Sequence, residues 1–598
     1  MIRLTELKLP LSAVPVEQRR AADAPTETEV DRIPVPHPVA ALKRLAAHAL
    51  ALAESDITTL QVFKRSFDAR TAELLVVYTV DVGLPPGLET TVLAGLAHQP
   101  HVAPTPDMQY RLPIHVPAGL WERPVVVGFG PCGMFAALLL AQMGFRPIVL
   151  ERGKTVRERT QDTWALWRRK ALNPESNVQF GEGGAGTFSD GKLYSQIKDP
   201  RFLGRKVMQE LVKAGAPPEI LVEAHPHIGT FKLVKVVENI REQIIALGGE
   251  VRFQQRVVDV LLKEEHATHV LRGLRVQNTL DGSVNDLLAT HIVMALGHSA
   301  RDTFAMLYDR GVAMQAKPFS VGFRIEHPQS VIDRARWGRH AGHPMLGAAD
   351  YKLIHHASNG RAVYSFCMCP GGTVVAATSE SGRVVTNGMS QYSRNERNAN
   401  AGIVVGIDRP DYPADEDSFV QAFGEAAGQR YAQEAAALRL QNPRAAHPLA
   451  GIALQRGLES TAYVLGGSSY EAPGQLVGDF LARRPSSDWG SVRPSYQPGV
   501  RLSDLTRSLP PYAIAAIREA IPAFGKKIKG FDMQDAVLTG VETRTSSPLK
   551  IPRGDNLQST NVAGLYPAGE GASYAGGILS AAVDGIKVAE AVARSLLC

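Results

Sequence analysis

Residues 124–151 constrain what this chain can fold into more than any other stretch. Pro124-Val-Val-Val-Gly128-Phe-Gly130-Pro131-Cys132-Gly133 runs into an apolar segment and then into Pro147-Ile-Val-Leu-Glu151. The pattern predicts a strand, a glycine turn, a helix over about 131–143, and a second strand closed by an acid. Gly128 permits the tight turn, Gly130 lets the main chain approach a pyrophosphate, and Gly133 lets the helix pack closely on the strand. Pro131 and Cys132 belong to the phosphate-facing turn, and the positive end of the helix points at the phosphates. Glu151 stands about twenty residues on, where a carboxylate can accept the ribose hydroxyls of an adenosine. A lone glycine fingerprint is weak. Strand, helix and spaced acid together point to a bound dinucleotide.

At 598 residues the chain exceeds a single core, so two or three domains are expected. Its hydrophobic content of 44% and charged content of 21% are those of a soluble globular protein. The net charge is +6, yet no dense Lys/Arg run occurs, and residues 1–123 carry slightly more acids than bases. That balance argues against a dedicated nucleic-acid surface. Cys132, Cys367, Cys369 and Cys598 are too few for a disulfide framework and suit a reducing compartment. The start of the chain lacks a signal-peptide core, and no apolar run is long enough to span a bilayer. A cytoplasmic location without membrane attachment is the expectation.

Residues before the fingerprint predict a βαββαβ module. Its strands are Ile2–Leu9, Thr58–Phe67, Glu73–Val82 and Met108–Ile114, and its helices Pro38–Leu52 and Gly87–His98. A Pro-rich stretch, Ala22–His37, reads as a loop within it, and Lys64–Arg70 as a charged hairpin. After a helix at Val156–Arg169, the segment Gly181–Lys192 has too many glycines for a helix or strand. Gly183, Gly184, Gly186, Thr187, Ser189, Gly191 and Lys192 are read as a cofactor-contacting loop, the alternative being a surface linker. Helices follow at Phe202–Ala214 and Phe231–Leu247, then a strand at Glu250–Leu262 containing Val257, and a β-meander.

The middle mixes strands (Phe319–Glu326, Tyr364–Cys369, Val374–Thr378) with a polar loop at Asn387–Asn400 and a long Ala-rich helix within Asp415–Leu440. The end returns to nucleotide chemistry. Asn561–Gly571 is a buried strand running into Gly569-Glu570, and Gly576-Gly577-Ile578 opens an apolar helix to Leu596. A second helix N-terminus beside a strand-end acid is what a flavin dinucleotide needs, because the helix end stabilises negative charge on a reduced ring. FAD is therefore the expected cofactor.

The paired segments 125–151 and 564–585 resemble the glutathione-reductase-like FAD-binding superfamily. The strings 64–70, 181–192, 317–328, 366–372, 388–400 and 540–548 are similar to those of bacterial FAD-dependent dehydrogenases of undetermined substrate that carry an N-terminal ferredoxin-like domain. Many superfamily members have alanine at the place of Cys132 and aspartate at that of Glu570. The fold class implied is α/β: a Rossmann FAD-binding domain with an inserted β-rich α+β cap, preceded by a ferredoxin-like α+β domain. Expected boundaries are 1–120, 121–316, 317–540 and 541–598. The resemblance also places Gly297, at the end of a short buried strand, under the adenosine side of the cofactor. Arg152 and Val257 join the expected cofactor-facing set.

No second glycine fingerprint occurs between Gly191 and Gly540, and the CxxC of the disulfide reductases is missing. Cys367 and Cys369 are read as small buried residues near the cofactor in preference to redox thiols, and no metal site is expected. Arg324 and Glu326 alternate onto one strand face, and Arg544 precedes the last flavin segment, so these three are the catalytic candidates. An ion pair between Arg544 and Glu326 is the bland alternative. The function expected is an FAD-dependent oxidoreductase passing a hydride or electron pair between a small-molecule substrate and FAD, with NAD(P)H as a transient donor. A flavin-dependent RNA-modifying enzyme and an FAD-bound redox sensor are the alternatives.

Overall fold

A computed structural model describes residues 1–14, 37–70, 73–116, 122–265 and 268–597. The Pro-rich stretch 22–36 and Cys598 lie outside the described residues, as does the expected boundary at 120–121.

The N-terminal unit contains β1 (Ile2–Pro10), α1 (Val39–Leu50), β2 (Thr59–Asp68), β3 (Leu75–Gly83), α2 (Leu88–Gly95) and β4 (Val102–Pro104). Its antiparallel sheet has the order β2-β3-β1-β4. The last strand is not Met108–Ile114, because the edge of β1 is taken by Val102–Pro104. Pro106 precedes the 108–114 segment and Pro113 lies within it, and neither has an N–H to give to a ladder. The alternating Tyr110, Leu112, Ile114 and Val116 pack instead against the core of the next unit. Alternation marked a half-buried segment there, but not a hydrogen-bonded one.

The central unit is a parallel sheet of five strands. β5 (Val125–Val127), α3 (Pro131–Gln142) and β6 (Ile148–Leu150) form the first βαβ step. β7 (Glu250–Arg252) lies beyond β6, while β11 (Ile292–Met294) and the C-terminal strand Leu565–Pro567 lie on the other side of β5. The meander between β7 and β11 is β8 (Gln255–Glu265), β9 (Thr268–Asn278) and β10 (Val284–Leu288). Successive side chains of a strand face opposite ways, so this sheet has two buried faces. Val126, Val149 and Val293 pack under α3 and the C-terminal helix Ile578–Leu596. Val125, Val127, Ile148 and Ile292 face the other way and share one core with the inserted unit. α3 is buried on every side, from Cys132 to Ala141, as a helix between two layers must be.

The insertion leaves through Gln315–Ala316 and returns through Leu549–Lys550, and these two short strands pair with each other. Inside it a seven-stranded sheet has Phe319–Pro328 near its centre, flanked by Asn398–Ile407 and Val537–Glu542. One expectation changes here and another is sharpened. The polar segment 387–400 is a loop only over 391–397, and its ends belong to the strands Thr386–Ser390 and Asn398–Ile407. Its asparagines are tolerated in a buried strand because Asn398 donates to Glu326 and Asn400 accepts from Arg324. The long Ala-rich helix within 415–440 is Glu425–Gln441, and a shorter helix, Glu416–Phe423, precedes it, the two separated because Gly424 sits at φ 82° and cannot continue either. A further helix, Ala450–Leu465, carries Glu459 into the interior.

Candidate functional site

A cavity of about 550 Å³ runs between the parallel sheet and the inserted sheet. One end is bounded by Glu151, Arg152 and Gln255–Val257, the middle by Gly128–Cys132, Gly184–Gly186 and Gly297–Ser299. The far end is bounded by Gly569, Glu570, Gly576–Ile578 and, from the insertion, Tyr351, Phe366–Met368 and Glu542. The volume is that of a pocket for a large ligand.

The glycine turn has the shape the sequence demands. Gly128 has φ 96°, and a Cβ there would lie 2.4 Å from the Ala295 carbonyl oxygen. A Cβ on Gly133 would lie 1.9 Å from the Gly128 carbonyl oxygen, so the helix reaches the strand only without one. Gly133 therefore stands behind the wall. So do Gly183, whose N–H donates to Phe129 O at 2.9 Å, and Thr187 beside it. The remaining expected cofactor residues, Gly130, Pro131, Cys132, Gly184, Gly186, Ser189, Gly191 and Lys192 among them, line the cavity.

Glu151 does more than the sequence foretold. Its carboxylate accepts the N–H of Phe129, Gly153 and Gly181, each at 2.9 Å. It thus ties the glycine turn, the strand end and the 181–192 loop together. A carboxylate has about four lone-pair positions, so one remains for a ribose hydroxyl. Arg152 is held by Glu175 and Asp302 and lies over the Phe180 ring.

The 181–192 loop is anchored from beneath. Arg159 is fully buried and donates to the carbonyls of Asn177, Val178, Gly181 and Glu182. Burial lowers its pKa to about 10, against the pull of Glu151 and Glu182. At the loop's end Asp190 pairs with Arg394, and the Lys192 ammonium donates to the Met368 carbonyl. A surface linker would have none of these ties.

Two helices meet the cavity with bare N-termini. Neither α3, capped by Gly130, nor the C-terminal helix, capped by Gly577, has a side-chain cap. Their orphan N–H groups suit phosphate at one end and electron-rich ring atoms at the other. Glu570 lies between, pushed up to about 7 by burial although Lys317 opposes the shift. The buried Tyr351 hydroxyl has no hydrogen-bond partner among the described residues. Two uncapped helix ends, an unpaired hydroxyl and a glycine cradle fit an extended flavin dinucleotide.

The three catalytic candidates are separated by the structure. Arg544 lines the cavity, but its pairing is with Glu459, at 3.1 and 3.2 Å, and with the hydroxyls of Ser299 and Ser379. Arg301 pairs with Glu459 from the other side. Arg324 is fully buried behind the wall, bound to Glu542 at 2.7 Å, to the Cys367 carbonyl at 2.8 Å and to Asn387 at 3.0 Å. Glu326 points away and accepts from Ser495 and Asn398; burial raises its pKa. No ion pair joins Arg544 to Glu326. Glu542, which stands two residues before Arg544 in the same polar stretch and is a candidate for the active face with it, is on the wall; Tyr351, Asn387 and His298 are the wall residues the sequence reading missed. His298 is held down to about 3 by burial and by Arg544, so it is neutral. Only their convergence in space marks them. A second cavity of about 270 Å³ shares Tyr194, Ser195 and Leu579 with the first and runs under Phe63 and Lys64 of the N-terminal unit.

Comparison with known proteins places this geometry in a class. Residues 318–545 match the family described as FAD-dependent protein, C-terminal domain-like, and residues 1–83 match a domain of unknown function. The protein is a flavoprotein, and its cofactor is FAD. The chain belongs to the same family as an uncharacterized protein of Clostridium beijerinckii, with 44% identity over 554 residues, 92% of this chain and 95% of that one. Solved structures are more distant. E. coli quinol fumarate reductase is 12% identical, with 80% of this chain and 70% of that one covered at a TM-score of 0.33. Glycine oxidase from Geobacillus kaustophilus is 10% identical, with 79% and 94% covered at 0.31.

Proposed function

We propose that the chain is an FAD-dependent dehydrogenase acting on a small molecule that enters between the flavin and the inserted sheet. The observation that carries this reading is the single cavity joining both bare helix ends to a wall made by the insertion. Bound FAD supplies a two-electron acceptor or donor. Glu151 and the Gly128–Gly133 turn hold its adenosine half, and the 181–192 loop fixes the path between the halves. Glu570 and the Gly577 helix end set the charge beside the ring. Tyr351, Asn387 and Glu542 would orient the substrate, with Arg324 keeping Glu542 in place.

The organisation we favour is a Rossmann, glutathione-reductase-like FAD domain interrupted by a cap, after a ferredoxin-like domain. The strand order β2-β3-β1-β4, the five parallel strands and the family match at 318–545 support it. No helix among the described residues is long and apolar enough to cross a membrane, in keeping with a cytoplasmic role. Partners would be the substrate and a nicotinamide donor. Nucleic acid is disfavoured by the charge balance of residues 1–123.

Anaerobic bleaching of the flavin band at about 450 nm, followed against NADH, NADPH and a metabolite panel, tests the reading. Rapid bleaching by at least one compound is expected. Flavin that no compound reduces would favour the sensor alternative.

A further inference from the structure

We propose that Cys367 and Cys369 are a redox-active thiol pair on the cavity wall, with Cys367 the attacking sulfur and a small-molecule disulfide the class of substrate. In a regular strand two residues at this spacing point the same way with their side chains apart. Here the strand Ala362–Cys369 bulges between Phe366 and Cys369, and Cys367 takes φ 41°, a left-handed conformation that costs a non-glycine residue energy. The bulge folds Cys369 back onto its neighbour, with Cys369 Sγ donating to the Cys367 carbonyl at 3.4 Å. Cys367 lines the cavity and Cys369 is buried behind it.

The surroundings are built for a thiolate. Arg324 binds the Cys367 carbonyl, Lys192 binds the Met368 carbonyl between the cysteines, and Gly388 leaves room for both sulfur and guanidinium. A Cβ at Gly388 would lie 2.9 Å from Cys369 Sγ and 2.6 Å from Arg324 Nη1. The bond with Cys369 lowers the Cys367 pKa, burial opposes, and Arg324 and Lys192 lower it further; Asp190, Glu542 and Glu570 are the acids that also feel or face this sulfur. Cys369 is shifted the other way, by Cys367 and by burial. A nucleophile and a protonated partner are the two roles that thiol–disulfide exchange needs.

The exchange balances. The Cys367 thiolate attacks one sulfur of R–S–S–R′, forming Cys367–S–S–R and expelling R′S⁻. Cys369 gives up its proton and attacks the Cys367 sulfur, forming the Cys367–Cys369 disulfide and expelling RS⁻. The substrate gains two electrons and the cysteine pair loses two. The inference rests on the flavin reading only for the reductant that restores the dithiol.

The test uses the full chain, with FAD and stripped of it. Iodoacetamide alkylation is followed by mass spectrometry from pH 5 to 9, and oxidised glutathione serves as the disulfide probe. Cys367 is expected to alkylate with a midpoint at least about one unit below that of a free thiol near 8.5, with Cys132 slow. Glutathione disulfide is expected to oxidise the pair within the strand, and Cys369→Ser to trap a mixed disulfide on Cys367. Alkylation of Cys367 at the rate and midpoint of an ordinary thiol would overturn the proposal. So would a wild-type chain that forms no Cys367–Cys369 disulfide. Wild-type readouts stand even if Cys369→Ser does not fold. Reactive thiols in a chain that takes up no FAD would instead sink the flavin reading alone.

Discussion

Glu459 shows how a single side chain can hold a wall together. It is fully buried and neutralises Arg301 and Arg544, which approach from the central unit and from the segment that follows the strand Val537–Glu542. Removing one partner of a buried ion cluster leaves uncompensated charge and costs roughly 3–5 kcal/mol. Glu459→Ala should lower the stability of the folded chain by that order, read as a shift in the urea midpoint; an unchanged midpoint would show the arginines already solvated. Glu570 makes a different prediction. Its native pKa lies near 7 against an ordinary 4.5, so between those values the native state keeps a proton that the unfolded chain has lost. Stability then falls as pH rises through that window. In FAD-free protein, Glu570→Gln should flatten the slope of stability between pH 5 and 7, and an unaltered slope would assign it elsewhere. Neither residue's role could be read from the sequence in full. Glu570 was visible because it follows a strand and precedes a helix. Glu459 lies in a helix without any motif, and its partners are more than eighty residues away.

At the scale of elements, the glycine fingerprint separates packing from binding. Gly133→Ala would drive a Cβ to 1.9 Å from a main-chain oxygen, forcing α3 off β5. Overpacking of this kind costs about 1–3 kcal/mol, and the flavin should be lost along with stability. Gly130→Ala meets nothing closer than Gly184 Cα at 3.6 Å. It should leave the thermal midpoint in place while weakening FAD by about tenfold or more, about 1.4 kcal/mol, by titration of stripped protein. Equal effects on stability from both changes would contradict the assigned roles. Elements with strong local signals were legible: the strand–turn–helix at 124–143, the helix 578–596, and the alternation of β2 and β3. Misread elements were those whose state is decided elsewhere. Residues 108–114 alternate but spend their apolar face on a neighbouring unit, and the ends of 387–400 look like loop until Arg324 and Glu326 supply partners for the asparagines.

For the whole molecule, the sharing of one core is the decisive fact. The face of the parallel sheet bearing Val125 and Ile148 packs into the same cluster as Phe323, Ile403 and Leu538 of the insertion. The insertion and the parallel sheet should therefore open as one cooperative unit in hydrogen exchange, with β5 and Phe319–Pro328 protected alike; early, separate exchange of residues 318–545 would argue for an independent cap. The central claim is that this shared cavity holds one FAD by two half-sites more than four hundred residues apart in sequence. The most direct test is calorimetric titration of FAD-free protein with FAD and with FMN, which has the ring but no adenosine half. One FAD per chain should bind at least about a hundredfold more tightly than FMN, about 2.7 kcal/mol. FMN binding as tightly as FAD would show that the Gly128–Glu151 half contributes nothing, and would contradict the account.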